Sequence, residues 1–318
     1  MSETATQRLT ADPEGIARAA ELLRDGQLVA FPTETVYGLG GNALDDRAVA
    51  GIFEAKGRPS FNPLIVHLAD LDAVKELVQW SDLADVAAQV FWPGPLTMVL
   101  PIREGAKVSK LVSAGLDSLA VRMPASPVAR TLLRECGCPV AAPSANRSGR
   151  ISPTRAEHVL ETLDGRIAAV LDGGPCDVGL ESTILGLTGK PTLLRPGRVT
   201  AELLSEALGR PVMERRDRDQ ISAPGQLASH YAPNARVRLN ASEWQEGEAR
   251  LGFGRTEGDC DLNLSPAGDL VEAAANLFEY LHRLDSSGAE VIAVMPVPHV
   301  GLGVAINDRL SRAAAPRG

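Results

Sequence analysis

The sequence predicts an α/β protein: an open sheet covered by helices, with a smaller second α/β domain after it. Three observations predict it. Short apolar runs bounded by Gly or Pro alternate with stretches of helical periodicity along most of the chain. The 318 residues exceed the usual span of one domain. After Gly209 a charged run (214–220) and a polar, proline-bearing stretch (221–235) break the alternation, which then resumes. The expected organisation is a first domain at 1–210, a linker or lid at 211–235, and a second domain at 236–318.

Each element has its local reason. Asp12 can cap a first helix, Pro13 suits its first position, Ile16, Ala19, Ala20 and Leu23 share one face, and Gly26 ends it. Residues 27–31 form a strand stopped by Pro32. A helix at 46–55 is followed by Gly57, and 64–68 reads as a buried strand. Helices at 71–80 and 83–91 close at Pro93, with strands at 96–102 and 119–123 after them. Ser126-Pro127 opens a helix to about Glu135, and 140–142 is a strand. A helix at 154–163, which Ser152 or Thr154 can cap, leads to strands at 167–171, 183–187 and 192–194. Thr200 caps a helix at 201–208. In the second domain, strands at 235–239, 250–253 and 291–296 accompany helices at 269–284 and within 303–313.

Bulk properties exclude some functions. With 32 basic and 40 acidic residues the net charge is −8, so bulk attraction to a nucleic-acid backbone is excluded. Any bound phosphate needs a local basic pocket, for which Lys56, Arg58, Arg122 and Arg195 are the candidates. At 4% aromatic residues, base-stacking platforms are not expected. Cys136, Cys138, Cys176 and Cys260 form no C-x-x-C pair and no zinc-finger spacing with histidine, and read as buried reduced thiols. The polar start (1–7) and the lack of a membrane-length apolar run lead to the expectation of a soluble cytoplasmic protein.

Six polar clusters interrupt the apolar strands. PTETVYGLG (32–40) follows a strand, where open α/β sheets bind ligands, although a tight turn capping the next helix is as good a reading. KGRPSFNPL (56–64) puts Lys56, Arg58 and Asn62 on a loop stiffened by Gly and Pro, as a triphosphate clamp requires; cations at a helix end are the plainer account. As loop cations, Lys56 and Arg58 are expected to be replaceable without loss of folding. His67 is either a core histidine or ligand-facing, and Arg122, after Asp117-Ser118, faces either solvent or a carboxylate. PSANRSG (143–149) with Ser152 suits phosphate or ribose contacts as well as helix capping. EST (181–183) and RPG (195–197) are weak alone, and neither common nucleotide cradle is present.

Taken together and in order, these strings resemble the threonylcarbamoyl-AMP synthase family, whose catalytic domain is called YrdC-like. The linker APGQLASHYAP (223–233) and the ending GLGVAINDRL (301–310) resemble its two-domain branch. The resemblance implies a twisted mixed sheet with a deep positive cleft and a Rossmann-like C-terminal domain. It implies that Thr35, His67, Arg122, Ala142 and Ser182 surround threonine. Arg58, Asn62, Ser118, Ser144, Ser152, Arg195 and Tyr231 would hold ATP, with Lys56 and Arg58 as the catalytic charges.

The implied reaction adds bicarbonate or carbon dioxide to threonine's amine, after which the carbamate attacks the α-phosphate of ATP and pyrophosphate leaves. The product would pass to a separate tRNA threonylcarbamoyl transferase complex. Mg²⁺ is expected with the triphosphate, and no protein metal cage is expected. An RNA-binding module is a rival that the charge and scarce aromatics oppose. A carbamoyl-transfer domain of hydrogenase maturation would carry zinc-finger cysteines, which this spacing lacks. A threonine- or nucleotide-sensing protein would release no pyrophosphate.

Overall fold

The computed structural model describes residues 5–215, 223–226, 229–256 and 258–316. Positions 216–220 of the charged run and positions 227 and 228 of the linker lie outside the described residues. Strand β1 (Gln7–Thr10) precedes helix α1 (Pro13–Arg24), strands β2 (Val29–Pro32) and β3 (Tyr37–Asn42), helix α2 (Asp46–Lys56) and strand β4 (Ile65–His67). Helices α3 (Leu71–Leu77) and α4 (Asp82–Phe91) lead to strands β5 (Leu96–Pro101) and β6 (Ser118–Arg122). Then come α5 (Pro127–Cys136), β7 (Val140–Ala141), α6 (Ala156–Leu163), β8 (Ala169–Asp172), β9 (Thr183–Gly186), β10 (Thr192–Arg195), α7 (Ala201–Leu208) and β11 (Met213–Glu214). The remainder is β12 (Arg236–Arg238), β13 (Ala249–Gly252), β14 (Leu262–Asn263), α8 (Leu270–Asp285), β15 (Val291–Val294) and α9 (Leu302–Ala314).

The first eleven strands form one mixed sheet in the order β1-β8-β2-β3-β7-β4-β6-β5-β9-β10-β11. The last four form a parallel sheet, β12-β15-β13-β14. Apolar faces of α1 and α5 cover one side of the large sheet, and α2, α3, α4 and α7 cover the other. Caps fix the helix ends that matter to the site. Asp12 accepts from Gly15 N–H at the start of α1, and Gly57, left-handed at φ 60°, ends α2. That turn leaves Lys56 and Arg58 on either side of a helix end. Parallel pairing of β4 with β6 places His67 directly beside Arg122.

Several expectations needed correction. Residues 37–42 form β3 and not a turn, antiparallel to both β2 and β7. Its glycines serve close packing: a Cβ on Gly40 would lie 2.9 Å from Phe31 Cε1 and 3.0 Å from Val140 Cγ1. β1 is an exposed edge strand with no apolar alternation, visible only through its pairing with β8. The helix expected at 154–163 starts at Ala156 with no side-chain cap, because Ser152 bonds Glu181 and Thr154 Oγ1 faces His158 Nδ1 at 3.4 Å. The helix expected at 71–80 stops at Leu77, where Val78 turns extended and bridges Ile102.

The two parts share an interface. Val36, Ile151 and Leu180 of the first part sit in the core of the second, with Leu277, Phe278 and Ile306. His158 stacks on His282 with ring centroids 3.8 Å apart, and Arg155 pairs with Glu279 at 2.8 Å.

Candidate active site

The C-terminal ends of β4 and β6, the loop after β2, the loop after β7, and the start of β9 converge on one polar pocket. Arg122 is buried there in a network. Its Nη1 donates to Thr35 Oγ1 (3.0 Å), Nη2 to Glu34 Oε1 (2.5 Å) and Nε to the Gly94 carbonyl (3.2 Å). Glu34 Oε2 accepts from the Ala125 and Ser126 amides. Burial pushes the Glu34 carboxyl up, but Arg122's charge and the hydrogen bonds outweigh it and hold Glu34 below the usual carboxylate range. His67 is buried against Phe31, and burial together with Arg122 drives it down to about 3, so it is a neutral imidazole at pH 7.

Two further arginines line the same pocket. Arg195 donates twice to the Ser182 carbonyl (3.0 and 2.9 Å) and once to Ser182 Oγ (3.1 Å), and Ser182 Oγ lies 2.7 Å from Thr97 Oγ1. Arg58 donates to the carbonyls of Asn62 (3.1 Å) and Pro63 (2.9 Å). Neither has a carboxylate within ion-pair distance among the described residues. Burial lowers both, Arg58 to about 9, while Arg309, paired with Glu181 and Asp308, is raised despite its burial. Buried cations without a counter-ion mark a place built for an anion.

The structure brings Thr35, Arg58, His67, Arg122, Ala142, Ser144, Ser182, Arg195 and Tyr231 to this pocket wall. Lys56 lies behind it. Its ammonium donates to the carbonyls of Ser144 (2.6 Å) and Asn146, and burial with the Arg58 charge presses it well below the usual lysine range. Lys56 therefore braces the Ser144 loop from inside and is not an exposed loop cation. Asn62 is fully buried, and neither its side-chain Nδ2 nor its Oδ1 has a partner among the described residues. Ser152 bonds Glu181, and Ser118 lines a neighbouring cleft with Lys190 and Thr192.

Sequence reasoning gave no role to Glu34, Glu181 or Arg309, whereas Gly225 and His230 fall in the stretch expected to act as a linker or lid. The available signal was an acidic residue inside a string of hydroxyls, which a buried arginine elsewhere must answer. Pro224, Gly225, His230 and Tyr231 of the linker lie across the pocket and leave a cavity of about 40 Å³. A roomier cleft of about 620 Å³, floored by Leu77, Leu133 and Pro139, holds none of these groups. Among the described residues no helix is long and apolar enough to cross a membrane, and no three His, Cys, Asp or Glu side chains gather as a metal cage.

Known proteins match both parts of the chain. A family model described as telomere recombination matches residues 21–197, and one described as threonylcarbamoyl-AMP synthase, C-terminal domain, matches 199–315. The chain is 42% identical to the threonylcarbamoyl-AMP synthase of Bacillus subtilis, over 98% of this chain and 96% of that one. It is 43% identical to that of Pyrococcus abyssi, over 94% of each. A crystal structure of P. abyssi Sua5 complexed with L-threonine superposes with a TM-score of 0.89 at 40% identity, covering 98% of both chains. Matched in both parts and along nearly its whole length, the chain belongs to the threonylcarbamoyl-AMP synthase family.

Proposed function

We propose that the chain is a nucleotidyltransferase that converts L-threonine, bicarbonate and ATP into threonylcarbamoyl-AMP, pyrophosphate and water, for threonylcarbamoyladenosine in tRNA. One observation carries the reading: a single pocket holds Arg122, paired with Glu34, and two further arginines, Arg58 and Arg195, with no carboxylate partner among the described residues. Arg122, with Thr35, His67, Ala142 and Ser182 near it, suits an amino-acid carboxylate and hydroxyl. Arg58 and Arg195, without carboxylate partners and beside Ser144, suit phosphates. Asn62, buried with unmet donors and acceptors, supports a polar ligand at the Arg58 side.

The reaction needs alignment and charge neutralisation, not a covalent enzyme intermediate. Threonine's nitrogen takes up the one-carbon unit, a carbamate oxygen attacks the α-phosphorus, and the bond to pyrophosphate breaks. Neutral His67 donates or accepts a hydrogen bond without adding charge near the amine. Arg58 and Arg195 stabilise charge building on the phosphates. Mg²⁺ would arrive on the triphosphate and be held by its oxygens and water, since Glu34 and Glu181 are engaged with Arg122 and Arg309.

A pocket of about 40 Å³ is far below the few hundred Å³ that ligand sites of this size occupy. The linker must therefore lift to admit ATP and settle afterwards, keeping water from a hydrolysable adenylate. The product passes to a separate transferase in the cytoplasm. Incubation with threonine, bicarbonate and ATP should give threonylcarbamoyl-AMP by mass, with pyrophosphate formed only when all three are present. Equal ATP turnover without threonine would overturn the reading.

A further inference from the structure

We infer that Arg309, on the last helix of the C-terminal domain, is the positioning residue that sets Tyr231 over the pocket and thereby governs nucleotide capture. Its side chain has no exposed surface and touches three groups of different origin. Nε donates to Glu181 Oε2 at 2.8 Å, and Glu181 in turn accepts from Ser152 Oγ. Nη1 donates to Asp308 Oδ2 at 2.7 Å. The guanidinium lies 5.3 Å from the centre of the Tyr231 ring, within cation–π range.

Tyr231 needs such support. Its backbone is left-handed (φ 63°), which costs a residue with a Cβ about 1 kcal/mol or more and persists only where surroundings hold it. The holding groups are Arg309, Phe278 at 5.5 Å and His230 at 4.1 Å between ring centres. The same helix takes the His230 amide on the Arg312 carbonyl at 3.2 Å. The Tyr231 hydroxyl is buried in the pocket wall without a hydrogen-bond partner among the described residues. Arg309 thus ties Glu181 of the pocket, the lid and α9 into one unit without lining the pocket itself. The plainer account is an interdomain ion pair that only stabilises the fold.

The two accounts separate experimentally, and the inference rests on the nucleotide end of the pocket proposed above. Arg309→Met leaves Glu181 buried and unpaired, so a lower Tm is expected on either account. The double variant Arg309→Met with Glu181→Gln removes the stranded charge and should regain most of the Tm. In that double variant, KM for ATP should stay raised roughly 10-fold, against a Glu181→Gln control, while calorimetric threonine affinity stays within about 2-fold. Hydrogen exchange at 229–233 should be faster in both Arg309 variants, and Arg309→Lys should restore protection only in part. Recovery of KM for ATP in step with Tm, or unchanged exchange at 229–233, would make Arg309 a structural residue and end the proposal. The exchange measurement needs no product, so a wild-type chain that makes no threonylcarbamoyl-AMP would reject the activity and still report on Arg309.

Discussion

Lys56 and Arg58 are two residues apart and do different work. Arg58 lines the pocket, whereas Lys56 is enclosed and satisfies two backbone carbonyls. Arg58→Ala should therefore lower kcat/KM about 10²-fold, as for a lost charge at a transition state. Lys56→Ala should lower both activity and Tm, because it takes the ammonium from the Asn146 carbonyl in the interior and leaves the Ser144 carbonyl only its bond from the Asn146 N–H. Thermal unfolding and kinetics on the pair test this; an unchanged Tm in Lys56→Ala would mean that Lys56 braces nothing. Arg122→Ala should weaken threonine far more than ATP in calorimetry with each ligand alone. It should also cost stability at neutral pH, since Glu34 loses its ion pair while still buried. Equal weakening of both ligands would assign Arg122 to phosphate or to the fold. The cations themselves were legible in the sequence, as charges at or just past the ends of elements, followed closely by Gly or Pro. Their partners were not: Glu34 meets Arg122 across 88 positions, and Glu181 meets Arg309 across 128. Spacing along the chain carries no trace of such pairs.

At the scale of elements, legibility followed periodicity. α1, α2, α5, α7 and α8 show caps and one apolar face, and their positions were readable. β3 was not, because glycine at 38, 40 and 41 imitates a turn while in fact admitting Phe31, Ile52 and Ala142 close to the backbone. The short strands β4 and β6 matter most to the site, since their register alone sets His67 against Arg122. Burying His67 there has a pH consequence. Its folded value, near 3, lies below the ordinary 6.5, and His158 at the α6–α8 contact is lowered to about 4 by burial and by His282. The unfolded chain thus binds more protons as pH falls below 6.5, and stability declines from there toward those folded values. Each such histidine sets a slope of at most about 1.4 kcal/mol per pH unit. Glu34 and Glu181, held below their ordinary 4.5, add to the loss at lower pH. Chemical denaturation between pH 7 and 5 should show this decline, and His67→Gln should flatten it. A wild-type curve level across that range would show that His67 takes up its proton without penalty.

Across the whole molecule, the catalytic wall and the lid come from different parts of the chain, so their docking decides whether the pocket can close. Removing everything after Arg210 is a blunt test. It deletes β11 from the large sheet and exposes Val36, Ile151 and Leu180, which belong to the second core. Gly179 offers a finer one. It is left-handed at φ 71°, and a Cβ there would stand 2.4 Å from the Ala275 carbonyl oxygen and 2.6 Å from that of Ala274. Those atoms are backbone of α8 and cannot swing away. Gly179→Ala should therefore push α8 away from the loop before β9 by a fraction of an ångström or more, without adding an atom against Thr35, His67 or Arg122. Threonine should bind with near-normal affinity, because its proposed contacts all lie on the catalytic wall. Product yield should fall several-fold, and protease cleavage within 211–235 should no longer slow when ATP and threonine are added together. In the wild type that protection should be clear, since closure buries the linker against the ligands. A Gly179→Ala protein with normal yield and normal protection would mean that the lid closes without tight docking, and that the C-terminal domain is only its tether.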